Sequence, residues 1–105
     1  MSAIANCVIV KIKPNDPAIF ESNFKKEKQR IIESLSMIRC LGLSLYKNAK
    51  LDEWFLVYEF QTEELAVLAH KRELCLKRTS SIGDVSVNEQ YPIHAQLPDE
   101  TKEIT

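Results

Sequence analysis

The sequence lacks the short motifs that identify the common enzyme classes. It has no Gly-rich phosphate-binding loop, no Ser-His-Asp order, and no cluster of His, Cys and Asp residues at metal-ligand spacing. Hydrolase, kinase and metalloenzyme functions therefore have no support, and we expect no cofactor. The formal net charge is only −1, so the chain lacks the basic footprint that a nucleic-acid partner requires.

Long apolar runs and leader sequences are also missing. No stretch reaches the roughly 18 consecutive apolar residues of a membrane span, and no basic segment followed by an apolar one opens the chain. We therefore expect a cytoplasmic protein with no membrane partner. The three cysteines, Cys7, Cys40 and Cys75, form no CxxC pair. Their apolar neighbours favour reduced, buried thiols over zinc ligands or disulfides.

Length and composition are those of one globular domain. The chain has 105 residues, of which 45% are hydrophobic and 28% charged. We assign the domain to residues 1–93. Residues 94–105 lack periodicity, and we predict a polar C-terminal tail that is either mobile or ordered on a partner.

The stretch from Trp54 to His70 predicts a strand that runs directly into a helix. Residues 54–60 are rich in aromatic and β-branched side chains and contain neither Gly nor Pro. Thr62 is a suitable N-cap, and two glutamates follow it where the helix dipole favours negative charge. Both faces of the strand are apolar, so it needs a covering layer on each side. The chain's own helices supply one layer, and we expect a second copy of the chain to supply the other.

Periodicity predicts three further strands and one further helix. The strands cover residues 7–13, 37–48 and 84–93. Gly42 indicates a bulge in the second of them. Pro17 begins a helix that continues to about Ser34, and the helix after Thr62 is expected to fade near Arg78. This order is that of an α+β, ferredoxin-like βαββαβ fold, with both helices on one face of a four-stranded antiparallel sheet.

Gly42, the strand residues 55–59 and the helix from Ala66 to His70 resemble the antibiotic biosynthesis monooxygenase family of the dimeric α/β-barrel superfamily. The resemblance covers roughly residues 5–93 by order of elements. It implies a homodimer whose two sheets pack into a barrel, and a pocket between sheet and helices for a small hydrophobic or polycyclic molecule. It also implies oxidation of a quinol-like or aromatic substrate by oxygen, without metal or flavin.

The candidate site combines this resemblance with the residue types. His70 is the candidate base, and the Glu59 carboxylate is the second catalytic candidate. Arg72 is expected to bind an anionic group of the substrate. Aromatic residues that can line the pocket are Trp54, Tyr58, Tyr46 and Tyr91. Similarity to the haem-degrading members adds Asn6.

Each candidate also has a purely structural interpretation. His70 can be a half-buried histidine on an apolar helix, Glu59 a solvated strand-end carboxylate, and Arg72 a side chain whose stem covers apolar surface. Gln61 stands where the family usually has an aromatic residue, which favours a non-catalytic barrel that binds a small molecule or a partner. An RNA-recognition fold has the same element order, but the Lys/Arg-Gly start of its aromatic motif is absent.

Overall fold

The computed structural model describes residues 6–104. Within them the chain forms an α+β fold of one antiparallel five-stranded sheet and three α-helices, consistent with the ferredoxin-like prediction. The strands are β1 (Cys7–Pro14), β2 (Cys40–Asn48), β3 (Glu53–Phe60), β4 (Val85–Gln90) and β5 (Lys102–Glu103). The helices are α1 (Pro17–Ser34), α2 (Glu63–Lys71) and α3 (Leu74–Ser80).

Side-chain caps start the two longer helices where the sequence predicted. The Ile19 amide donates to Asp16 Oδ1 at 3.2 Å, and Pro17 occupies the first position of α1. At α2, the Leu65 amide donates to Thr62 Oγ1 at 3.2 Å. Within residues 6–104, no helix combines the length and the apolar character that crossing a bilayer requires.

The predicted end of the second helix is wrong. The helix ends at Lys71, and α3 starts separately at Leu74. Glu73 lies between them with φ 56°, a left-handed conformation that no Gly or Pro in the sequence signals. The break allows α3 to pack against β4 independently of α2.

The second strand starts later than predicted and contains the predicted bulge. Met37 lies in a short 3-10 turn before β2 and is 96% exposed. β2 begins at Cys40, and its pairing with β3 shifts register between Cys40 and Gly42, as expected for a bulge. The strand order across the sheet is β4-β1-β3-β2-β5, so β3 lies at its centre.

β3 is apolar on both faces, as the alternation predicted. On one side, which we call the inner face, Trp54, Leu56 and Tyr58 pack with the helices in the main core. On the other side, the outer face, Phe55 and Val57 form a second cluster with Ile9 of β1. The sheet therefore separates two apolar layers.

The chain itself covers the outer face. Residues 91–101, which we call the strap, join β4 to β5 without a helix or strand of their own. Tyr91 and Leu97 of the strap pack on the outer cluster. Beneath them three residues are 3%, 0% and 6% exposed: Ile9, Phe55 and Val57. The chain thus supplies cover that was expected from a second copy, through Tyr91, predicted in the last strand, and Leu97, predicted in the polar tail. The homodimer itself stays a prediction.

A buried asparagine attaches the far end of the strap. Asn48 is 1% exposed, and its Nδ2 donates to the Asp99 carbonyl at 2.8 Å and to Thr101 Oγ1 at 3.1 Å. Its Oδ1 accepts from the Leu51 amide at 3.0 Å. Directly after this anchor β5 pairs with β2, so the sheet in the described residues has five strands instead of the four predicted.

Candidate functional site

His70 joins the end of α2 to the end of β4. Its Nε2 lies 2.9 Å from the Tyr91 carbonyl, and a carbonyl only accepts, so Nε2 carries the hydrogen. The side-chain amide of Gln90 donates in turn, through Nε2, to the His70 backbone carbonyl at 3.1 Å. The His70 ring is half-buried, and its hydrogen bond leaves Nδ1 as the ring nitrogen that does not contact the Tyr91 carbonyl.

Glu59 lies on the outer face of β3, with the sheet between it and α2. It is exposed and pairs with Cys7 on one side and with the bulge residue Gly42 on the other. A Cβ at Gly42 would be 3.5 Å from Glu59 Oε1, an ordinary contact, so the carboxylate lies directly over this glycine. His70 and Glu59 therefore do not form one catalytic pair.

Two acidic groups near Glu59 on the outer face have raised pKa values. Burial, and then the Glu59 carboxylate, raises the pKa of the Cys7 thiol to about 11. Burial also raises the pKa of the Tyr46 phenol, with smaller contributions from Glu103, Cys7 and Glu59. Tyr46 is half-buried and shares this face because it pairs with Phe55. At neutral pH both the thiol and the phenol therefore stay protonated.

Trp54 belongs to the core instead of a pocket wall. It is 2% exposed, and its Nε1 donates to Glu21 Oε2 at 3.5 Å. The Nζ atoms of Lys13 and Lys47 lie 5.2 Å and 4.6 Å from the centroid of its ring, within cation–π range. Lys13 is also paired with Asp52. These contacts occupy both the indole ring and its N–H group.

Tyr58 is the centre of a buried hydrogen-bond chain. It is fully buried, and its hydroxyl lies 2.9 Å from Thr79 Oγ1. Thr79 Oγ1 donates to the Cys75 carbonyl at 2.8 Å, so Tyr58 is the donor to Thr79. Burial strongly raises the pKa of the Tyr58 phenol. The hydroxyl therefore joins β3 to α3 inside the core.

The Tyr58–Thr79 bond makes a testable stability prediction. Tyr58→Phe should lower the free energy of unfolding by about 0.5–1.5 kcal/mol, and Thr79→Val by about 1–3 kcal/mol, because the second change leaves a buried hydroxyl donor unpaired. In urea unfolding, the double variant should be more stable than the sum of the single effects predicts, by more than about 0.5 kcal/mol. Strict additivity would show that the two hydroxyls do not interact in solution.

Two further candidates lie apart from both groups. Arg72 is exposed at the C-cap of α2, where its backbone amide donates to the Leu68 carbonyl at 3.0 Å. Asn6 precedes β1 with φ 60°, and its Nδ2 lies 3.4 Å from the Gln61 carbonyl. The predicted site residues are thus distributed over the inner core, the outer face and two element ends.

A small recess lies where the strap passes the start of α2. It has an empty volume of about 190 Å³ and is lined by Asn6, Cys7, Glu63, Ala66, Ile93 and His94. Only Asn6 among these was a predicted site residue. His94 Nε2 is 2.7 Å from Glu63 Oε1 across it. That volume includes open solvent, and the enclosed part of the recess has room for about one water molecule.

Sequence reasoning missed the contacts that hold the strap, which involve His94, Glu63 and Asn48. His94 lies in the segment without periodicity, Asn48 is the last residue of the predicted second strand, and Glu63 had been assigned only to the helix dipole. Within residues 6–104, no three His, Cys, Asp or Glu side chains come together as a metal site. No family model matches the sequence, and no curated protein or solved structure is significantly similar to it.

Proposed function

We propose that this chain is a non-catalytic protein of the dimeric α/β-barrel kind, an interaction module that binds a second copy of itself. One observation carries the proposal. Tyr58, which should line a pocket between sheet and helices, is fully buried and bonded to Thr79. Trp54 is 2% exposed in the same core. The chain's own side chains thus occupy the region where the family resemblance implies a substrate.

The separation of the candidate residues also supports this proposal. General acid–base catalysis requires its groups within hydrogen-bond reach of one substrate. His70 lies with the helices, whereas Glu59 and Tyr46 lie on the outer face. One bound molecule would have to contact both sides of a continuous sheet. A binding module has no such requirement.

The proposed self-partner binds through the outer face of the sheet. Two sheets that pack face to face lie about 10 Å apart, and apolar side chains from both sheets fill the space between them. Ile9, Phe55 and Val57 form an apolar centre on this face, and Tyr91 and Leu97 lie over it. A homodimer through this face would have the barrel arrangement that the resemblance implies.

A cofactor-independent monooxygenase acting on a quinol or aromatic substrate is the second candidate. The orientation of His70 favours it, because the bond from Nε2 to the Tyr91 carbonyl makes Nδ1 the basic nitrogen. An imidazole with one nitrogen fixed by a hydrogen bond is oriented to remove an acidic substrate proton with the other. Oxygen would then react with the resulting electron-rich anion.

One assay separates the two functions. Oxygen consumption is measured with anthrone, quinol and catechol substrates and no added cofactor, for wild type, His70→Gln and Glu59→Gln. His70→Gln keeps an N–H donor for the Tyr91 carbonyl but has no basic nitrogen. We expect no turnover above the protein-free rate in any sample. Turnover by wild type that falls about 100-fold or more in His70→Gln would overturn the non-catalytic assignment, and Glu64→Gln on the exposed side of α2 is the control.

A further inference from the structure

We draw no further inference here: the strongest candidate, the recess at the start of α2 that Cys7 lines together with the His94–Glu63 ion pair, encloses room for about one water molecule, and the buried side-chain atoms that lack a hydrogen-bond partner in residues 6–104, Asn88 Oδ1 and Gln90 Oε1, lie on β4 outside the recess, so that nothing there indicates a ligand.

Discussion

Replacing Phe55 with alanine is expected to lower the free energy of unfolding by about 3–5 kcal/mol, although Phe55 points away from the helices. Its side chain is 0% exposed between the sheet and the strap, and its ring meets Tyr91 edge-on at a centroid distance of 5.6 Å. An aromatic removed from such a position costs both its transfer free energy and the cavity left behind. If the face were open in one chain, the cost would be much smaller.

The measurement is urea unfolding by circular dichroism at a concentration where sedimentation shows monomer. Leu51→Ala is the matched control, because Leu51 is 52% exposed and should cost less than about 0.5 kcal/mol. A cost below about 1 kcal/mol for Phe55→Ala would show that the strap spends much of its time off the sheet. Tyr91→Ala would then also be nearly neutral.

The elements that local chemistry determines were predictable. Asp16 and Pro17 start α1 by capping and by a fixed φ, and Thr62 caps α2 in the same way. Alternation along β3 predicted which side chains lie on each face. In each case the determining residues lie within a few positions of one another in the sequence.

The strap and the break between α2 and α3 depend on distant contacts. Asn48 bonds to residues about fifty positions later, and nothing near Asn48 in the sequence indicates that partner. Glu73 adopts a left-handed conformation at the break, and only tertiary packing explains a non-glycine residue there. A segment without periodicity was therefore predicted as a tail, although it covers a face of the sheet.

The candidate site was predictable by residue but not by arrangement. Strand alternation implies that Tyr58 lies on the helical side and Glu59 on the other. Alternation does not predict how deeply each side chain is buried: Tyr58 is fully buried, whereas Glu59 is exposed. The hydrogen bond of His70 to the Tyr91 carbonyl needs the end of β4 beside the end of α2. That proximity is a property of the assembled fold.

Alkaline pH is expected to destabilise the protein through its buried thiols, most of all through Cys75. Cys75 is 0% exposed, and burial, then the neighbouring Cys40, strongly raises the pKa of its thiol. An unfolded cysteine has a pKa of about 8.5. Above that pH the unfolded chain has released a proton that the folded chain still holds, so the free energy of unfolding falls as pH rises. The stabilising contribution is complete below about pH 8.5 and is lost at about 1.4 kcal/mol per pH unit above it.

Unfolding in urea from pH 7 to 10.5, with a reductant present, tests this expectation. Cys75→Ala removes the titrating group, so the variant should be less stable than wild type at pH 7 but should lose stability more slowly as pH rises. Cys7→Ala is the comparison. The pKa of Cys7 is raised to about 11, but Cys7 is only half-buried, and solvent screening reduces its contribution. Equal slopes for wild type and Cys75→Ala would contradict this prediction. They would show that the Cys75 thiol ionises in the folded chain as readily as in the unfolded one, despite its burial against Tyr58 and Thr79 in the main core.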